Sequence, residues 1–156
     1  MTAPQLEPEV VQRRLRELRV QLDRLDELGE VDAERLRGDW ILAAAVERVL
    51  TTLVELALDV NAHVAVADGR LPPEDYRTSF FRAADAGWLA HELAERLAPS
   101  AGMRNVLVHR YLDIDYEQVA TAVRAARSAY REYVRALSQE LRRRVAQDAD
   151  GGSFPR

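Results

Sequence analysis

Between Asp39 and Asp68 the apolar residues Ile41, Val46, Val49, Leu50, Leu53, Leu56, Ala57 and Val60 keep a helical period, and Gly69 follows. An apolar face that wide and that long is satisfied only by a helix buried along most of its length, so this segment predicts the central helix of the fold. Other helices must then cover it. One is expected from near Pro8 to Leu28, where Val11, Leu15, Leu18, Leu22, Leu25 and Leu28 repeat at three and four and Gly29 supplies a C-terminal cap. Leu71-Pro72-Pro73 is a stop, because proline cannot continue a helix, and Glu74 to Ala86 then reads as a short helix before Gly87.

A further helix starts around Leu89 and contains Pro99, which is expected to kink it or to begin a fresh turn. The last helix begins after Asp113 or Asp115 as N-cap and continues to about Val145, with Val119, Val123, Ala126, Tyr130, Val134, Leu137 and Leu141 on its buried face. The expected architecture is all-α, an up-and-down bundle of four main helices plus a short one. It forms one domain over residues 1–147, and residues 148–156, with two glycines and a proline, form a disordered tail. The leucine stripe of the first helix is too short for a coiled coil, and bundle packing accounts for it.

Composition narrows the function. The net charge of -4 argues against broad electrostatic capture of nucleic acid, so any RNA contact is expected to be local. All 22 basic residues are arginine, a usage that reflects composition more than function although arginine also suits phosphate. No cysteine is present, which removes disulfides and thiolate metal sites, and the N-terminus has no signal-peptide core. Glu47, Glu55, Asp59 and His63 interrupt the longest apolar candidate for a membrane span. A cytoplasmic protein is expected.

Polar groups suited to chemistry cluster inside an apolar run at one place, Arg104-Asn105-Val106-Leu107-Val108-His109-Arg110-Tyr111. Arginine supplies a permanent charge with forked donors for phosphate oxygens, histidine a proton that moves near neutral pH, and tyrosine a hydroxyl open to modification. On a helix Asn105 and His109 lie one above the other, while Arg104 and Tyr111 share a neighbouring stripe, so the four can converge on one groove. Val106, Leu107 and Val108 face other directions and are expected to anchor the segment. Together the polar groups suit phosphodiester chemistry without a metal.

The string Ala101-Gly102-Met103-Arg104-Asn105-Val106-Leu107-Val108-His109-Arg110-Tyr111-Leu112-Asp113-Ile114-Asp115 resembles the R-x4-H-x-Y signature of HepT-like toxins, a branch of the HEPN ribonucleases. A weaker pattern extends the resemblance over roughly residues 10–141. Asp39-Trp40 and Ala45-Val46-Glu47-Arg48 resemble the entry to the family's long second helix, Leu58-Asp59-Val60-Asn61-Ala62-His63 its middle, and Tyr76 to Gly87 its short third helix. Arg110 departs from the pattern, since an acidic residue is common there; a positive charge beside His109 disfavours the protonated imidazole.

The resemblance implies a toxin of a type VII-like toxin–antitoxin module that cleaves RNA, whether tRNA or mRNA, without a metal or other cofactor. In that chemistry the ribose 2′-hydroxyl attacks the adjacent phosphate. His109 would act as general acid or base, Arg104 would bind the phosphate and Asn105 would orient the histidine or a phosphate oxygen. The family usually works as a homodimer with motifs from both protomers facing one cleft. It also implies that a minimal nucleotidyltransferase antitoxin transfers AMP to Tyr111, placing an anionic group where the substrate phosphate would sit. The competing expectation is a non-catalytic helical subunit that binds the nucleotidyltransferase.

Other candidates have plainer explanations. His63 follows Asp59 by four residues and reads as an ion pair or core hydrogen bond. His91-Glu92-Leu93-Ala94-Glu95 lacks the second histidine of a zinc motif. Asp39, Glu47, Glu55 and Asp59 lie along one helix, but the Glu-x-x-His pairing of carboxylate-bridged metal bundles is missing. Arg124, Arg127, Arg131 and Arg135 form a stripe expected to be a solvated flank.

Overall fold

The computed structural model describes residues 4–109 and 113–151. Helix α1 spans Pro8–Glu27, with Pro8 where its missing N–H costs nothing, and it ends at Leu28 before Gly29 takes φ 70°. Helix α3, Trp40–Ala67, starts at Asp39, whose carboxylate accepts from the N–H groups of Ile41 and Leu42 at 3.0 Å each. Helix α4, Tyr76–Asp85, is capped in the same way by Asp75, which accepts from the Thr78 N–H at 2.6 Å. The final helix, α6, runs Tyr116–Gly151, and of the two candidate caps Asp115 is used, accepting from the Glu117 N–H at 3.0 Å.

Three boundaries differ from the sequence expectation. A six-residue helix, α2, spans Ala33–Gly38 behind the Asp32 cap and buries Leu36. It is too short to show a helical repeat, so periodicity missed it. Helix α5, His91–His109, runs through Pro99 without starting afresh. Pro99 and Glu95, whose carbonyl loses its N–H partner, are both exposed, so water can solvate the freed group. Finally, α6 continues through residues 148–151, which were expected to belong to a disordered tail; Ala and Gln sustain helix beyond the point where the apolar stripe stops.

The four long helices alternate in direction, as an up-and-down bundle requires. Arg14 of α1 pairs with Asp59 of α3 at 3.4 Å and the Glu7 N–H reaches His63, so α1 and α3 are antiparallel. Along α5, Arg96 pairs with Glu132 and Ser100 bonds Tyr130, so its partners on α6 step backwards. His109 therefore emerges at the end of the bundle where α3 and α6 begin. Helix α2 bridges that end, with Arg37 3.5 Å from Glu117.

The core is mostly aliphatic, with Leu18, Leu25, Leu53, Ala57, Val123 and Leu137 fully shielded from water. Its aromatic centre is Phe80, Tyr130 and Tyr133, packed edge to face with ring centroids 6.2 to 6.5 Å apart. Both tyrosine hydroxyls are partnered: Tyr133 donates to Asn61 Oδ1 at 2.7 Å, and Tyr130 bonds Ser100 Oγ at 2.8 Å. Burial pushes the pKa of each phenol well up, so neither ionises in the working range.

Candidate active site

Arg104 lies on the second-last turn of α5, and its side chain turns inward rather than along the helix surface, with only 16% of it exposed. A partly shielded guanidinium is stabilised by a nearby opposite charge, and α3 supplies one: Arg104 Nη2 donates to Glu55 Oε1 at 3.3 Å. On the other side α4 supplies a ring, with the guanidinium carbon 4.8 Å from the centroid of Tyr76. Among the described residues Nε has no hydrogen-bond partner although it is shielded from water. Neither Glu55 nor Tyr76 was assigned to the site from sequence. The available signal was the charge itself, since an arginine within an apolar run must find a carboxylate, and Glu55 is one of few that interrupt the central helix.

Asn105 and His109 are both exposed and lie one turn apart on the same face, as the helical spacing requires. Arg104 and His109 are five positions apart, roughly 7.5 Å along the axis and about 140° around it. Of the polar groups expected to converge on one groove, Arg104 faces α3 and α4 while Asn105 and His109 face solvent, so these three diverge within a single chain. Of the three expected anchors Leu107 is buried, Val106 is half-buried and Val108 remains 39% exposed, because the last turn of α5 is covered on one side only. Tyr111 and Arg110 lie outside the described residues.

Beside Arg104 an apolar groove of about 460 Å³ runs between α3, α5 and α6, walled by Leu50, Val54, Leu97, Met103, Ala126 and Tyr130. Arg104 and Arg96 stand at its edges, and His109 is not among its walls. It therefore approaches the site from the arginine side.

The remaining sequence candidates are structural. His63 accepts from the Glu7 N–H at 3.1 Å, and Asp59 pairs with Arg14 instead of with His63. His91 pairs with Asp85 at 2.9 Å. Asp39 is a helix cap, Glu55 serves Arg104, and burial raises the pKa of Glu47. Among the described residues no group of three His, Asp or Glu side chains is placed to hold a metal ion. The arginine stripe is not a solvated flank throughout, because Arg127 donates to the Leu25 carbonyl at 2.7 Å and Arg131 pairs with Asp23 and Asp26. These arginines cover the negative end of α1.

Residues 18–137 match the family model described as ribonuclease HepT-like. The tRNA nuclease HepT of Aphanizomenon flos-aquae is 32% identical over 139 residues, covering 87% of this chain and 92% of that protein. The fold is similar to that of the tri-AMPylated Shewanella oneidensis HEPN toxin, solved in complex with MNT antitoxin, with TM-score 0.75 and 18% identity over 83% of this chain and 97% of that one. It is equally similar to YutE, a cytosolic protein from Bacillus subtilis, with TM-score 0.76 and 17% identity over 96% of each chain. The family model's match over residues 18–137 and the 32% identity to a relative covered over 92% of its length show that the chain belongs to the HepT-like ribonuclease family.

Proposed function

We propose that this protein is the toxin of a type VII-like toxin–antitoxin pair and cuts RNA without a metal ion. The observation that carries this reading is the pairing of an Arg104 guanidinium fixed between Glu55 and Tyr76 with Asn105 and His109 exposed on the same two turns of α5. Arg104 would bind the scissile phosphate and oppose charge building on its oxygens. His109 would take the proton of the 2′-hydroxyl as the new O–P bond forms, or return a proton to the 5′-oxygen as the old bond breaks. Asn105, one turn before His109, would orient the imidazole or a phosphate oxygen.

Because Arg104 and His109 diverge around their helix, one chain offers a divided site. We propose that a second copy completes it, with the two α5 ends facing one cleft, so that the two histidines can take the acid and base roles. The A. flos-aquae relative is named a tRNA nuclease, which makes tRNA the first substrate to test, with mRNA the alternative. The S. oneidensis toxin is described as AMPylated and in complex with an MNT antitoxin, which supports a nucleotidyltransferase as partner here; Tyr111, the tyrosine of the R-x4-H-x-Y string, is the residue proposed to receive AMP.

The test is RNA cleavage by the purified chain in EDTA, alongside R104A and H109A. Cleavage by the native protein that both substitutions abolish, with the helical content kept, is the expected result. A chain that binds the nucleotidyltransferase but never cuts RNA would replace this reading with that of a non-catalytic partner subunit. Intact-mass and peptide mapping after co-expression with the nucleotidyltransferase should find AMP on Tyr111; AMP elsewhere would refute that assignment.

A further inference from the structure

Tyr76 is the first residue of α4, half-buried, and its ring is the surface on which the Arg104 guanidinium lies. Its backbone is held from beneath by a buried chain of hydrogen bonds. The Tyr76 carbonyl accepts from Ser79 Oγ at 2.7 Å, Ser79 Oγ accepts from Asn61 Nδ2 at 3.2 Å, and Asn61 Oδ1 accepts from the Tyr133 hydroxyl at 2.7 Å. Ser79, Asn61 and Tyr133 are fully shielded from water, and each uses its polar group within the chain. A satisfied buried network favours one arrangement, because any alternative leaves a polar group unpaired in the core. Asp75, the residue before it, caps the same first turn by accepting from the Thr78 N–H.

An aromatic face has a property that a second carboxylate would lack. It attracts the guanidinium through its π-density without occupying the N–H donors. Among the described residues only Arg104 Nη2 has a hydrogen-bond partner, Glu55, and Nε is shielded from water, so the ring fixes the plane of the group and leaves Nη1 as the donor for a phosphate. We infer that Tyr76 is a positioning residue for Arg104: its ring, set by the Tyr133–Asn61–Ser79 chain, aims the guanidinium at the substrate phosphate. The inference deepens the ribonuclease reading and rests on it.

The experiment compares the full chain with Y76L, Y76F and Y76W on an RNA oligonucleotide, below the melting temperature of every variant, with kcat and KM measured separately. Y76L is expected to lower kcat/KM roughly tenfold, the size of a partly desolvated cation–π contact, with most of the loss in kcat. Y76F and Y76W should restore most of it, since they keep the ring face. In parallel, the Arg104 Nε–H resonance should be displaced by the ring current in the native chain and in Y76F, and should return toward the free-arginine position in Y76L. Undiminished cleavage by Y76L, or a Y76F as weak as Y76L, would overturn the inference. A native chain that cuts no RNA would refute the ribonuclease reading, and Tyr76's hold on Arg104 is then judged on the resonance alone: an unmoved signal in Y76L refutes that too.

Discussion

Arg104 on α5 and Glu55 on α3 form an ion pair at 3.3 Å in which the two partners are unequally shielded, with 16% of the arginine side chain exposed against 45% of the carboxylate. Glu55 holds one arm of the guanidinium in place and also cancels part of the charge that a phosphate would meet.

These two effects separate in E55Q. Removing the negative charge should tighten RNA binding and lower KM several-fold, while the less constrained guanidinium lowers kcat by roughly three- to tenfold. Stability should change by less than about 1 kcal/mol, because a pair with one half-exposed member contributes little. Steady-state kinetics with parallel thermal melts check it, and a rise in KM at constant kcat would contradict the assignment.

Arg144 of α6 joins three segments that are far apart in sequence. Its guanidinium carbon lies 4.5 Å from the ring centroid of buried Trp88, Nη2 donates to the Ala86 carbonyl at 2.8 Å, and ion pairs reach Asp68 and Glu140. R144A should therefore cost about 2 kcal/mol, since it opens the face of an indole and strands a carbonyl as well as removing charge pairs. For a domain of this size that is a fall of roughly 4–8 °C in melting temperature. Among the described residues its neighbour Arg143 pairs with Glu140 alone and is half-exposed, so R143A should lower the melting temperature far less than R144A does. Differential scanning fluorimetry distinguishes the two.

The contrast between these two arginines shows where the sequence stops being informative. Helical period and caps placed α1, α3, α4 and α6, because the interactions that define them lie within four residues along the chain. Helix α2 escaped because six residues cannot display a repeat, and only Asp32 and Leu36 hinted at it. The pairs Arg104–Glu55, Arg127–Leu25 and Arg144–Trp88 join residues 49, 102 and 56 positions apart, so which of 22 arginines would turn inward and become half-buried depended on topology. Motif residues were legible as identities; the inward turn of Arg104, and with it Tyr76, was not.

Acid should destabilise the fold through particular carboxylates. The Thr78 N–H holds the Asp75 carboxyl below its ordinary 3.8, and Arg96 and Arg143 hold Glu132 and Glu140 below their ordinary 4.5. In each case the folded state binds its proton less readily than the unfolded chain, so stability is fully present above about pH 5 and declines as pH falls through the folded-state values. D75N keeps an oxygen to cap α4 but removes one titration, and its acid limb should be shallower than that of the native chain. Identical melting curves between pH 2 and pH 5 would remove Asp75 from the account.

Glu47 should behave in the opposite sense. It sits on the central helix, partly buried, and desolvation raises its pKa above the ordinary 4.5. The folded state therefore favours its protonated form, and as pH rises through the folded-state value the protein loses stability by keeping a charge in a poorly solvated place. Gln has the shape of the protonated side chain and never ionises. E47Q should melt at a higher temperature than the native chain at pH 7, with the difference vanishing below about pH 4, where both side chains are neutral. A gain of the same size at both pH values would point to packing, and a loss at pH 7 would mean that Glu47 stabilises the fold as a carboxylate.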